Sequence, residues 1–139
     1  MSTPVTTSAS VPVKAVAQTP LILIVDDSPT EVHIMKVALE GHGYRTAVAG
    51  DGAEGVRLAR QILPSLIFMD VVMPGVNGYQ ATRQLAGDPA TKSIPVVIVT
   101  SKGEQTDRIW GLRQGAVDYM VKPVSGAELV RKAEATLAA

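Results

Sequence analysis

From Pro20 onward, short unbroken apolar runs alternate with longer stretches whose apolar residues recur at helical spacing. The runs fall at Leu21–Val25, Leu66–Met69 and Val96–Val99, with a weaker one at Val117–Val121. Runs without polar alternation suit strands buried on both faces of a parallel sheet. Tyr44–Ala49 is more polar and predicts an edge strand. In the segments between them, Val32, Met35 and Leu39 share one helix face. Val56, Ala59 and Leu63 form a second such set, Ile109, Leu112 and Ala116 a third, and Leu129, Ala133 and Leu137 a fourth. Gly41 and Gly43 suit a helix end, and Asn77-Gly78 suits a helix start with Asn77 as its cap. Five strands therefore alternate with five helices, and no internal repeat is visible. That order predicts an α/β fold of βαβ units with right-handed crossovers and a parallel sheet covered on both sides.

Residues 1–19 read differently. They are rich in Ser, Thr, Pro, Ala and Val, with one charge, Lys14, and no aromatic residue. The charge comes late and Pro4 and Pro12 interrupt the apolar positions, which favours a disordered leader over a signal peptide. Residues 20–139 then form one domain, as the total length of 139 residues suggests. With 46% hydrophobic residues and a mean hydropathy of +0.20, the chain has the makings of a sizeable core. Thirteen Lys and Arg balance thirteen Asp and Glu, without a basic cluster. Neither nucleic acid nor an anionic membrane surface is an expected partner. No apolar run approaches the ~20 residues that span a bilayer. The absence of cysteine excludes disulfides, thiolate nucleophiles and thiolate metal sites, and fits a cytoplasmic setting.

The informative polar residues stand at strand ends. Asp26 and Asp27 follow the first predicted strand, Asp70 the third, Thr100 the fourth and Lys122 the fifth. An Asp after a strand is ordinarily a turn residue or helix cap, and Pro29 suits a first helical position after Ser28. Yet Asp26 and Asp27 cannot both cap one helix, and a Lys ending a buried strand caps nothing. Ligands of open α/β sheets bind beyond the carboxyl ends of the strands. One site there accounts for all five residues at once.

Three clustered carboxylates repel one another and call for a cation. An all-oxygen set suits Mg2+, which completes its shell with water and phosphate. A Lys ammonium partners phosphate well, and a Thr hydroxyl can donate to a phosphate oxygen. Together these groups fit phosphoryl transfer to Asp70 as an in-line carboxylate nucleophile. The two histidines, His33 and His42, lie on and after the first helix, away from the strand ends, and are expected to face solvent.

Residues 20–138 closely resemble the receiver domains of bacterial response regulators, through IVDD at 24–27, MDVVMPG at 69–75, VTSK at 99–102 and DYMVKP at 118–123. The resemblance implies a flavodoxin-like (βα)5 three-layer sandwich of strand order 2-1-3-4-5. It implies that Asp70 accepts phosphate from a sensor histidine kinase of CheA-like type. It also implies that Asp27, Asp70 and the Val72 carbonyl bind Mg2+, with Asp26 acting largely through water, and that Thr100 and Lys122 hold the phosphoryl oxygens. Thr100 and Tyr119 would form the two-position switch, and the Lys122–Pro123 bond would be cis. The implied output face joins the fourth helix (near 104–114), the fifth strand and the fifth helix (near 125–138), with Trp110 and Tyr119 on it. ILIVDDSPTE (22–31), MPGVNGYQATRQL (73–85) and TDRIWGLRQGAVDY (106–119) look like the PilH-type regulators of type IV pilus chemosensory systems, which implies a role in twitching motility or surface sensing. The chain ends after the fifth predicted helix, so signalling is expected by protein contact, as a monomer or weak dimer, or as a phosphate sink for a shared kinase.

Two other readings of the residues compete with this one. Gly50, Gly52 and Gly55 match G-x-G-x-x-G between a predicted strand and helix, with Asp70 at a suitable distance for a ribose-binding acid. A nucleotide-binding module of this kind leaves Asp26, Asp27, Thr100 and Lys122 unexplained, and lacks the second half that holds a dinucleotide. A phosphatase with an Asp nucleophile carries a second acid two residues later. Val72 stands there, so at most slow self-dephosphorylation is expected. Val72 and Lys102 flank the expected site, at positions that vary among receivers.

Overall fold

Each apolar run becomes a strand and each periodic stretch a helix in the computed structural model, which describes residues 19–139. The expected leader therefore lies outside the described residues, apart from Thr19. The strands are β1 (Leu21–Val25), β2 (Arg45–Ala49), β3 (Leu66–Met69), β4 (Val96–Thr100) and β5 (Asp118–Val121). The helices are α1 (Pro29–Gly41), α2 (Gly52–Ile62), α3 (Gly78–Ala86), α4 (Gln105–Arg113) and α5 (Gly126–Ala138). All strands pair in parallel, in the order β2-β1-β3-β4-β5. The order reverses direction between β1 and β3, and at such a switch point the loops diverge to leave a crevice.

Strand side chains alternate between two cores. Ile22, Ile24, Leu66, Phe68, Val97 and Val99 pack with Met35 and Leu39 of α1 and Leu129 and Ala133 of α5. Leu23, Val25, Ile67 and Met69 pack on the other side with Val56 and Ala59 of α2 and Ala81 and Leu85 of α3. Each fully buried Leu, Ile or Phe contributes about 1.5–3 kcal/mol. The three central strands are buried on both faces, hence the absence of alternation in their sequences.

Helix ends follow local chemistry. Ser28 caps α1 through its hydroxyl, which accepts from the Glu31 N–H, with Pro29 at the first turn. Asn77 and Gln80 form a reciprocal capping box on α3. Gly43 has φ +94° just past α1.

Two expected faces differ from the structure. Leu63 is exposed, because α2 ends at Ile62 and Leu63 takes a left-handed φ of 47° as its C-cap. Ile109 and Leu112 are also exposed, while Ala116 is buried. The contact side of α4 is Gly111, where an added Cβ would meet Ile98 at 2.7 Å and Tyr119 at 2.9 Å. A helix seated by a glycine leaves its larger apolar residues outward, and their periodicity misleads.

Candidate functional site

The carboxyl ends of β1, β3, β4 and β5 bring Asp26, Asp70, Thr100 and Lys122 into one crevice. Pairing with β2 and β1 continues past the strands: Asp26 N–H donates to the Ala49 carbonyl at 3.1 Å and Asp70 N–H to the Val25 carbonyl at 2.9 Å. The backbone of both acids is thereby fixed to the sheet. Lys122 N–H donates to the Thr100 carbonyl at 2.8 Å, which ties the fifth strand end to the fourth. Asp26, Asp70 and Thr100 are buried, and Asp27 is exposed beside them. The Lys122–Pro123 bond is cis.

Charge is concentrated here. Carboxylate oxygens of Asp26, Asp27 and Asp70 lie within 4.8 Å of one another. Lys122 Nζ is 2.9 Å from Asp26 Oδ2 and 3.6 Å from Asp70 Oδ2, and it also contacts Glu31 Oε1. Burial disfavours the Lys122 charge, but hydrogen bonds to Glu31 and Asp26 and the Asp70 charge outweigh it and hold the ammonium well above its ordinary range. Burial pushes the Asp70 carboxyl up, against the Lys122 charge and a Thr100 hydrogen bond, with the Asp26 charge adding to the rise. Such an arrangement attracts a divalent cation through oxygen donors and gives an anion one ammonium to lean on.

The crevice opens into a cavity of about 590 Å³ lined by Asp26, Asp27, Glu31, Asp70, Val72 and Lys122, among others. Val72 is 54% exposed at its mouth, and its N–H donates to Asp70 Oδ1 at 3.3 Å. No acid stands at this position.

Tyr119 and Trp110 separate. Tyr119 is buried, its hydroxyl donating to the Lys102 carbonyl at 2.7 Å and lying 3.1 Å from the Tyr79 hydroxyl. Arg108 of α4 covers the ring at 5.5 Å and donates to the Tyr119 carbonyl at 3.2 Å. Burial, then the hydrogen bond to Tyr79, raises the Tyr119 phenol well above its ordinary range. Of the two aromatics expected on the output face, Trp110 alone is exposed, at 50%.

The glycine motif serves packing. A Cβ on Gly52 would stand 2.2 Å from the Val76 carbonyl oxygen, and one on Gly55 would stand 2.9 Å from Val25. Gly50 N–H donates to Glu54 Oε1, and the Asp51 side chain caps α2 by accepting from the Glu54 N–H. His33 and His42 are exposed, and His42 pairs with Glu134 at 3.1 Å.

Two residues of this neighbourhood were not singled out from the sequence, Glu31 and Tyr79. Glu31 follows Ser28 at capping-box spacing, a pattern that predicts a bond back to the cap. Tyr79 stands in the first turn of α3 and carries no distinguishing pattern.

A parallel five-stranded α/β sheet with two acids, a third acid, a hydroxyl and a Lys at successive strand ends defines a class, and residues 22–134 match the response regulator receiver domain family. The chain belongs to that family. It is 54% identical over 117 residues to protein PilH of Pseudomonas aeruginosa, covering 84% of this chain and 97% of that protein. The receiver domain of sensor histidine kinase PA1611 from Pseudomonas aeruginosa, solved with a magnesium ion coordinated in its active-site cleft, is similar at a TM-score of 0.81 and 31% identity, over 87% of this chain and 99% of that one. The signal receiver domain of a signal transduction histidine kinase from Syntrophus aciditrophicus is similar at 0.80 and 37% identity, over 86% and 91%. Among the described residues, no helix is long and apolar enough to cross a membrane.

Proposed function

We propose that this protein is a single-domain response regulator that accepts a phosphoryl group on Asp70 from a CheA-like sensor histidine kinase, with Mg2+. One observation carries the reading: acidic, hydroxyl and ammonium groups leave four separate strands and meet at one sheet edge, with Lys122 Nζ 2.9 Å from Asp26 and 3.6 Å from Asp70. A carboxylate oxygen of Asp70 attacks phosphorus while the bond from phosphorus to the donor's histidine nitrogen breaks, its electron pair remaining on nitrogen. The product is an acyl phosphate. Lys122 and Thr100 donate to the phosphoryl oxygens. The Asp26, Asp27 and Asp70 carboxylates and the Val72 carbonyl fit Mg2+, which when bound neutralises charge on the phosphoryl oxygens. With Val72 where a general acid or base would stand, hydrolysis is slow and the protein acts as a switch rather than a turnover enzyme.

The identity to PilH supports a place in a type IV pilus chemosensory pathway governing twitching motility, in the cytoplasm. Output passes by protein contact through α4, β5 and α5, where Ile109, Trp110, Leu112 and Val121 are exposed. The test is incubation with acetyl phosphate and Mg2+, followed by intact mass. One phosphoryl group is gained by the wild type and none by Asp70→Asn or by wild type in chelator. No gain with any donor overturns the reading.

A further inference from the structure

Three helices carry a side-chain return bond to their own N-cap, within a reciprocal box in α3 and α5. In α3, α4 and α5 the third-residue side chains, Gln80, Asp107 and Glu128, accept from the backbone N–H of Asn77, Glu104 and Ser125. Glu31 holds the same place in α1, and its N–H donates to Ser28 Oγ as the pattern requires. The return bond is missing, because the Ser28 N–H donates to Asp26 Oδ1 at 2.9 Å instead. The Glu31 carboxylate is thereby left for another partner, and it turns to Lys122. Asp26 thus has two effects: it holds one side of the ammonium and removes the donor that would otherwise hold Glu31 on its own helix.

The outcome is an ammonium shared unequally among three carboxylates. Lys122 contacts Glu31 and Asp26 more closely than Asp70. Lys122 is 15% exposed at its side chain and the Glu31 side chain is 43% exposed, and both line the same cavity as Asp70. An incoming phosphoryl anion needs the same ammonium. From this geometry we infer that Glu31 is a positioning residue of the phosphorylation site: it draws the Lys122 ammonium away from Asp70 in the unphosphorylated protein and competes with the phosphoryl group for it. Glu31 touches neither phosphorus nor its oxygens and acts only through Lys122. This inference rests on the proposed function of the site.

Two consequences have opposite sign. Without the Glu31 charge, Lys122 is free for an anion at Asp70, so the anion binds more tightly. The same freed ammonium, with one acid fewer nearby, makes the carboxylate cluster less attractive to a cation. A residue that only supported α1 would move both affinities together or neither.

The test uses the full chain and Glu31→Gln, with Glu31→Ala as a second variant. Beryllofluoride, a phosphoryl mimic, is titrated at saturating Mg2+, and Mg2+ alone is titrated by calorimetry, with thermal melts to verify folding. Removing one partner of a half-exposed ion pair corresponds to up to about fivefold in affinity. The expected result is beryllofluoride binding several-fold tighter and Mg2+ binding weaker in both variants. Any other pattern in a folded variant overturns the inference. Wild type that binds no beryllofluoride overturns the proposed function itself, whereas wild-type binding with unchanged variants overturns only the role of Glu31.

Discussion

Asp70 is under two opposed influences. Burial and the neighbouring Asp26 charge disfavour its ionised form, while Lys122, Thr100 and the Val72 N–H favour it, and the balance leaves its carboxyl raised. A carboxyl whose folded value lies above its unfolded value stabilises the fold fully below the unfolded value, and that contribution is lost as pH rises through the folded one. Metal-free wild type therefore loses stability through this group as pH rises from about 4, the ordinary carboxylate value. Asp70→Asn keeps the shape without the charge. In chelator, its melting temperature exceeds that of wild type at neutral pH, and the gap narrows toward acid. A variant less stable than wild type at neutral pH would mean that the bonds to Asp70 outweigh its desolvation. Asp26 and Asp70 were legible in the sequence because each directly follows an unbroken apolar run, which fixes both its strand and its edge of the sheet, and Asp27 is placed by its neighbour. Glu31 was not: the turn in which Asp26 accepts from the Ser28 N–H is a local pattern, but the contact of Glu31 with Lys122 joins α1 to the end of β5, and no spacing encodes it.

At the level of elements, α3 is seated directly against the backbone that carries Asp70. Its first residue, Gly78, lies so near β3 that an added Cβ would stand 2.0 Å from the Asp70 carbonyl oxygen and 2.7 Å from Val71 Cα. Its Cβ would meet backbone rather than a flexible side-chain end, so the loop from Asp70 to Asn77 must shift to admit even a methyl group. Gly78→Ala is expected to destabilise the fold by about 1–3 kcal/mol, the usual cost of overpacking, as measured by urea unfolding. It also slows acetyl phosphate labelling of Asp70, because the displaced loop carries Val72. Unchanged labelling in a destabilised variant would separate α3 packing from site geometry. The sequence pointed to Asn77 as a cap and Gly78 as a helix start, since both are local chemistry. It did not reveal the close approach of two backbones, nor that α4 seats on Gly111 and leaves Ile109 and Leu112 outward. Helical periodicity reports which residues share a face, not which face the sheet meets.

Across the whole molecule, the buried acids and the exposed α4 surface are joined by one short run of contacts. Thr100 Oγ1 accepts from the Lys102 N–H at 3.5 Å, and the Lys102 carbonyl accepts from the Tyr119 hydroxyl at 2.7 Å. Tyr119 is held from α4 by Arg108, and Tyr79 bridges to α4 through the Asp107 carbonyl at 3.3 Å. Contacts in a row do not by themselves transmit a signal; an element with two arrangements is needed. Tyr119 suits that part, because its hydroxyl depends on the carbonyl of a loop that begins at Thr100. If Thr100 moves toward a phosphoryl group on Asp70, the loop moves with it and α4, which buries only Gly111, is free to follow. Trp110 is the one tryptophan of the chain and half exposed on that helix, so its emission reports the movement without a label. Acetyl phosphate with Mg2+ is expected to change Trp110 emission in wild type and not in Asp70→Asn. Tyr119→Ala should take up phosphoryl to the wild-type extent by intact mass while its emission change shrinks several-fold. A full emission change in that variant would show that α4 responds to Asp70 by a route that does not pass through the Tyr119 ring.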